Sequence, residues 1–363
     1  MTENQRITIA NIAKRVGYST TTVSRVLNGL AGRYRISKST EQTILRLATE
    51  LGYTPDQLAR SLRLKRTHTI GLVIPDISNP FFSTVARSIE NEARKAGYAI
   101  ILNDTQEDTQ LEIESLQLLL SRKVDGLIIC PEGKDSDHLR PILNSGLPMV
   151  IVDRYFPELN CRYIISDNYK GSLEAITHFI QRNHRLIGCI QGRLGTSVNN
   201  DRIRGFKDAL IQNDIPIDES LVVGDSFGIR NGYVGAKLLL NRYSRPTAIL
   251  ATSNLISLGA MRAISEEGLR IPDDISIISF DDQPYSEFLA TPMTAVSQQT
   301  TEMGQIALKL LLGQLNQKKS EQNQGVVIPT KLIIRQSVKT LDAQSTDVGV
   351  ETSTDVMKAE INK

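Results

Sequence analysis

No apolar run in these 363 residues approaches the roughly 20 needed to cross a bilayer, so no membrane-spanning helix is expected. The opening MTENQRITIA is polar and holds no apolar stretch of the export-signal kind, which points to a chain that stays in the cytoplasm. Cysteine is scarce. Cys130, Cys161 and Cys189 are odd in number, widely spaced and set in or beside apolar runs such as GLIIC and IGCI. They read as buried free thiols in a reducing compartment, not as a disulfide framework or a metal site. Histidine is scarce too, and its placement excludes an enzyme class. Gly224-Asp225-Ser226-Phe227-Gly228 fits G-x-S-x-G, but that nucleophile elbow needs an acid and then a histidine further along the chain. His68, His138, His178 and His184 all precede Ser226. P-loop, zinc-ligand and G-x-G-x-x-G patterns are absent as well, so neither an enzyme nor a cofactor or metal is expected.

What is present is an asymmetry of charge. The net +2 divides into a basic head and an acidic remainder: residues 1–66 carry twelve Lys/Arg against four Asp/Glu, and the rest carries thirty against thirty-six. A basic head on an acidic body fits a polyanion-binding module attached to something that is not one. A solvated basic face would give the same count.

The head reads as short helices. Apolar residues at Ile9, Ile12, Ala13 and Val16 have helical spacing, and Gly17 permits a turn. Ser19 can cap a second helix buried through Val23, Val26 and Leu27 and ended by Asn28-Gly29. A third runs from Lys38 to Leu51 with Ile44, Leu45, Leu47, Ala48 and Leu51 inward, and Pro55 can start a fourth. From Thr69 short apolar runs (TIGLVI, YAIIL, DGLIIC, PMVIVD, then YIIS, RLIGCI, LVVGD, TAIL, ISIISF) alternate with amphipathic helices. One such helix is expected from Arg202 to Gln212. The alternation implies parallel sheets covered on both faces. Ten or so units exceed one sheet, so two doubly wound lobes are expected, with a ligand cleft at the carboxyl ends of their strands. The expected division is a head over 1–53, a hinge and linker over 54–68, a two-lobed body over 69–338 and a disordered tail over 339–363.

Within the head, ITIANIAKRVGYSTTTVSRVLNG has the arithmetic of a helix-turn-helix, whose second helix meets base edges in the major groove. Ser19, Thr20, Thr21, Ser24, Arg25 and Asn28 lie on that helix or at its ends. Arg25 could fork onto guanine O6 and N7, worth about 1–3 kcal/mol of discrimination. Taken alone, a threonine-rich helix start reads equally well as a cap.

The ordered series TIANIAKRVGYSTTTVSRVLNG, RISKSTEQTILRLATELGYTPDQLARSL, IGLVIPDISNPFF, KVDGLIIC, DRIRGF, RPTAIL, IPDDISIISFDD and IPTKLIIRQS resembles the lactose repressor and purine repressor family, LacI/GalR, over about residues 7–338. The resemblance implies an all-α helix-turn-helix head and a periplasmic-binding-protein-like α/β body. It also implies operator DNA as partner, a homodimer (with a tetramer open) and a small-molecule effector between the lobes. It makes TPDQLARSLRL the hinge helix. Leu62 then wedges the central base step from the minor groove, kinking the duplex, and Arg63 lies beside it as a basic contact.

For the effector, the resemblance places Phe81 and Phe82 as stacking residues and Phe227 as an aromatic on the facing lobe. Arg202 would clamp hydroxyl or carbonyl groups, and Asp281 would accept from hydroxyls or ring nitrogens. Asp153 and Arg154 end the strand PMVIVD and project into the same cleft, and Gln298 lies at a lobe crossover. Ser253-Asn254 stands where many members carry Asn-Asp. The effector is expected to be a sugar or sugar derivative, and with Arg154 and Arg202 that substitution could favour one carrying a negative charge, a sugar acid or sugar phosphate. A periplasmic solute receptor shares such a body but would carry an export signal and lack the basic head. Control by a partner protein remains open.

Overall fold

The computed structural model describes residues 7–53, 66–133, 135–316 and 325–342. The chain divides into two units, residues 1–67 and 68–363. The hinge candidates Leu62 and Arg63 lie outside the described residues, as does the tail beyond Asp342.

The first unit has three described helices, α1 (Ile9–Val16), α2 (Thr20–Leu27) and α3 (Lys38–Glu50). Thr8 caps α1 reciprocally with Asn11: the Thr8 N–H donates to Asn11 Oδ1, and the Asn11 N–H donates to Thr8 Oγ1. Gly17 ends α1 at φ +72°, a left-handed conformation that costs an L side chain energy but not glycine. Ser19 Oγ accepts from the Thr22 N–H at 3.1 Å, a cap worth about 1 kcal/mol. Ile12, Ala13, Val23, Val26, Ala31, Ile44 and Ala48 form the small core. Leu45, expected inward, is instead 44% exposed. It neighbours Ile44 in sequence but sits about 100° around the helix, off the stripe that Ile44 and Ala48 bury.

The second unit holds two sheets. The strands are β1 (Thr69–Ile74), β2 (Ala99–Asp104), β3 (Gly126–Ile129), β4 (Met149–Val152), β5 (Arg162–Ser166), β6 (Ile187–Ile190), β7 (Val222–Val223), β8 (Ala248–Ala251), β9 (Ser276–Phe280), β10 (Thr294–Ser297), β11 (Val326–Ile328) and β12 (Lys331–Ile333). The helices between them are α4 (Pro80–Lys95), α5 (Thr109–Ser121), α6 (Arg140–Asn144), α7 (Asn168–Ile180), α8 (Ser197–Ile211), α9 (Ile229–Leu240), α10 (Asn254–Glu266) and α11 (Thr300–Leu315). Lobe 1 has strand order β11-β5-β4-β3-β1-β2, all parallel. Lobe 2 has the matching order β12-β10-β9-β8-β6-β7. The four residues of β3, of β4, of β6 and of β8 are all buried, which is why they read as unbroken apolar runs.

The chain passes between the lobes three times. After β5 of lobe 1, α7 packs Ala175, Ile176 and Phe179 into the core of lobe 2. After β10 of lobe 2, α11 packs Met303, Ala307, Leu308 and Leu311 into the core of lobe 1. β11 of lobe 1 then leads over Pro329 and Thr330 into β12 of lobe 2. That last passage departs from the expected parallel sheet, since β12 pairs antiparallel with β10. A parallel strand needs a crossover of a dozen or more residues. β12 arrives directly from the cleft and so runs away from it.

Two further boundaries differ from the sequence reading. Helix α8 begins at Ser197, capped by Thr196, so Arg202 lies inside the helix and not at its start. The first residues of the expected tail are anchored: the Leu341 N–H donates to the Arg182 carbonyl, and Asn183 Nδ2 donates to the Leu341 carbonyl at 2.7 Å. The three cysteines are free and buried, and burial pushes their thiols above the usual range. None of the described helices is long and apolar enough to cross a membrane.

Candidate functional site

The head presents one face of α2. Ser19, Thr20 and Thr21 are exposed at its N-terminal end, with Ser24, Arg25 and Asn28 half-buried behind them. Helical geometry puts residues 20, 21, 24, 25 and 28 within one arc, away from Val23 and Val26. Asn28 Nδ2 donates to the Ser24 carbonyl, holding the helix end. The Arg25 guanidinium lies over the Tyr34 ring, 3.8 Å from its centroid. Such stacking fixes a long side chain while leaving hydrogen-bonding edges at the rim. Tyr34 was not singled out from the sequence, nor was Tyr18, whose hydroxyl lies 3.3 Å from Thr40 Oγ1. Both are exposed aromatics beside the helix.

The body converges on the cleft. Asp153 follows β4 and Asp281 follows β9, equivalent strands of the two lobes, and each stands at φ +72°. This is the left-handed region, uncommon for a non-glycine residue, and such strain gathers at functional sites. Each turn is held by the strand beside it: the Asp153 N–H donates to the Ile164 carbonyl at 2.8 Å and the Asp281 N–H to the Val296 carbonyl at 2.9 Å. Both carboxylates are buried. Burial pushes the Asp153 carboxyl up to about 6, with Arg154 and Arg202 pulling the other way. Burial also raises Asp281, opposed by Arg202 and by the Gln298 amide, which donates to Asp281 Oδ1.

Arg202 comes from the middle of α8. Its Nε donates to Asn168 Oδ1 at 2.8 Å and its Nη1 to the Thr252 carbonyl at 2.5 Å. The guanidinium lies 3.6 Å from the centroid of Phe280. Burial depresses its pKa, and the charges of Asp281 and Asp153, one from each lobe, offset this.

Asn79, Phe81, Phe82, Glu107, Asp153, Arg154, Val198, Arg202, Phe227, Ser253, Asp281 and Gln298 line a cavity of about 30 Å³. Nine of the ten residues proposed from sequence thus meet there. Asn254 stands one residue behind Ser253, and its Nδ2 crosses the cleft to Asn79 Oδ1 at 3.1 Å. Phe81 and Phe82 meet edge to face at 4.9 Å. Phe227 is seated against Gly192, where an added Cβ would fall 2.0 Å from its ring. Ser253 caps α10 and donates to the Phe227 carbonyl at 3.0 Å. A cavity this small lies far below the ~300 Å³ of ordinary small-molecule pockets, so this is a closed cleft that must part to admit a ligand.

Arg154 does not stand free. Its Nη1 donates to the Pro131 carbonyl at 2.8 Å and to the Glu132 carbonyl and carboxylate, each at 3.1 Å. Among the described residues, three buried polar atoms around the cleft lack hydrogen-bond partners: Arg154 Nε, Asn254 Oδ1 and Gln298 Oε1. Sequence reasoning missed Asn79, Glu107, Val198, Glu132 and Arg193. Glu132 and Arg193 follow β3 and β6 as Asp153 follows β4, so the same strand-end argument reaches them. Among the described residues no group of three or more His, Cys, Asp or Glu could hold a metal ion.

Comparison with known proteins agrees with this architecture. Residues 8–56 match the bacterial regulatory proteins of the lacI family, and residues 176–338 match the periplasmic binding protein-like domain. The chain is 36% identical to the HTH-type transcriptional regulator DegA of Bacillus subtilis strain 168, over 93% of this chain and 99% of that one. It is 35% identical to the ribose operon repressor of Haemophilus influenzae, over 92% and 99%. A LacI family transcriptional regulator from Enterococcus faecium, solved with bound ribose, superposes with a TM-score of 0.70 at 31% identity, covering 76% of this chain and all of that one. These relatives are regulators and repressors, not enzymes. With a helix-turn-helix head, a two-lobed body and such relatives along nearly its whole length, the chain belongs to the lacI family of bacterial regulatory proteins.

Proposed function

We propose that the chain is a cytoplasmic transcriptional repressor that binds operator DNA as a homodimer, and that a neutral polyhydroxylated metabolite, a sugar, seated between the lobes controls its grip. One observation carries the choice of ligand. The cavity is lined by a strand-end carboxylate from each lobe, Asp153 and Asp281, and by Arg202, whose hydrogen bonds are already taken up by Asn168 and the Thr252 carbonyl. Arg154, the other cation of the anionic-ligand argument, is already matched by Glu132. Surplus positive charge for a sugar acid is therefore lacking, and Glu107 adds a further acid to the lining. The partnerless atoms comprise a donor, Arg154 Nε, and two acceptors, Asn254 Oδ1 and Gln298 Oε1. A hydroxyl serves both kinds. A ribose operon repressor among the relatives and a ribose-bound neighbour support the same class.

In this reading Asp153 and Asp281 accept from ligand hydroxyls, and Arg202 donates. Phe81, Phe82 and Phe227 face the apolar side of the ring, Gln298 orients Asp281, Asn254 holds the cleft to Asn79, and Arg154 positions Glu132. In the head, Thr20, Thr21 and Arg25 read bases, with Ser19, Ser24 and Asn28 supporting the helix or meeting phosphate. Ligand changes operator affinity only through its different affinity for the open and closed bodies, a coupling of typically 1–3 kcal/mol.

A thermal-shift panel of neutral sugars, sugar acids and purines tests the ligand class. A neutral sugar at a hundred times its Kd should add about 2.7 kcal/mol of stability. Stabilisation by sugar acids alone would overturn the neutral assignment. For the DNA half, Leu62→Ala should weaken operator binding far more than non-specific binding; equal losses in the two titrations would remove the wedge.

A further inference from the structure

One buried polar network crosses the cleft beside the cavity. Its centre is the Glu132 carboxylate, wholly buried after β3. From lobe 1, Arg154 Nη1 donates to it at 3.1 Å and Thr105 Oγ1 at 3.2 Å. Behind it, the Glu112 carboxylate accepts from the Glu132 N–H at 2.5 Å and pairs with His138 Nε2. From lobe 2, Arg193 in the loop after β6 brings Nη1 to 3.5 Å from the same Glu132 carboxylate and to 3.3 Å from the Glu107 carbonyl. Lobe 1 thus fixes the position of the anion, and lobe 2 supplies a movable cation.

We propose that Arg193 is a closure residue, holding the two lobes together through Glu132 and the Glu107 carbonyl before any effector is present. The asymmetry of the pair makes this contact reversible. Removing the sole partner of a buried carboxylate leaves an uncompensated charge, which is strongly destabilising. Glu132 keeps Arg154 when the lobes part, so its charge stays matched. Arg193, with about a third of its side chain exposed, returns to water at little cost. A partly exposed pair of this kind contributes about 0.2–1 kcal/mol. That is enough to bias the cleft toward closure and too little to lock it. The Asn254–Asn79 bond and the bond from the Tyr155 N–H to Ser197 Oγ at 3.1 Å also cross the cleft, but neither joins charged groups. Arg193 would thus tune how readily an effector enters; this consequence rests on the cleft being the effector site, whereas closure itself does not.

The test is hydrogen–deuterium exchange on the ligand-free full-length chain, so its outcome does not depend on which effector binds. In Arg193→Met, peptides covering 105–112 and 192–198 should exchange about two- to fivefold faster, while the core strand 276–280 keeps its wild-type rate. Arg193→Lys, which keeps the charge but not the planar fork, should give a smaller rise. Wild-type rates at both peptides in Arg193→Met, or an equal rise over 276–280, would overturn the proposal.

Discussion

The two lobes are built on one strand order and end equivalent strands in the same strained aspartate, yet they differ in the balance of charge at the cleft. Lobe 1 has more buried acids, Asp153, Glu132 and Glu112, with Arg154 among them. Lobe 2 has the buried Asp281 with Arg202 from α8, and Arg193 from the loop before α8 reaches across to Glu132. Backbone geometry is therefore shared while the charge is not, and the excess acid of lobe 1 meets a cation of lobe 2.

The largest effect is expected of Arg202→Ala. It leaves two buried acceptors, Asn168 Oδ1 and the Thr252 carbonyl, without their donor, and the expected loss is about 1–3 kcal/mol of unfolding free energy in denaturant titration. An unchanged unfolding free energy would mean that these contacts do not hold the cleft. Next comes ligand affinity against pH. Asp153 protonates as pH falls through about 6 and then loses an acceptor. Calorimetric affinity for a neutral sugar should drop about tenfold from pH 7 to pH 5. Asp153→Asn should abolish that slope and Asp281→Asn should keep it; the reverse pattern would exchange their roles.

Gly192→Ala probes lobe 2 alone. A Cβ driven against Phe227 forces repacking, at a cost of about 1–3 kcal/mol in thermal unfolding. An unchanged midpoint would show that the Phe227 seat is loose.

The smallest effect concerns the opposite titrations of the lobes. The raised Asp153 pKa lowers stability as pH climbs from its usual value toward 6. His178 and His184 in lobe 2 are pushed down to about 4, chiefly by burial. Their contribution is full above about 6.5 and is lost as pH falls toward 4. His184 Nδ1 bonds Thr247 and its Nε2 bonds the Lys339 carbonyl. His184→Gln should therefore flatten the acid-side loss of stability; an unaltered slope would assign it elsewhere.

Much of this was legible in the residues. Helices α1 and α2 are legible at nearly their observed limits because Gly17, Ser19 and Asn28 mark ends chemically, whereas the Thr8 cap of α1 carries no such signal on its own. The buried strands announced themselves as apolar runs. Position in the cleft was legible where a strand ends in a polar residue, as at Asp153 and Asp281. The partnerships were not. Arg202 is held by Asn168, Thr252 and Phe280, from three separate elements, and only the folded chain brings these together. The commitment of Arg154 to Glu132 was hidden for the same reason, and with it the charge balance of the cavity. The start of α8 is not legible because four of the five residues from Ser197 to Asp201 are polar and the lone apolar one, Val198, sets no helical period.

The threefold passage of the chain between the lobes has a consequence for biosynthesis. Lobe 1 receives its last helix and its edge strand from residues 300–328, after nearly all of lobe 2 has been made. A nascent chain leaving the ribosome therefore cannot finish its first half before its second, and the apolar surface that α11 will cover stays open through most of translation. A frameshift or proteolytic cut near residue 300 would spare the whole linear stretch of β1 to β5 and still leave that half unfinished.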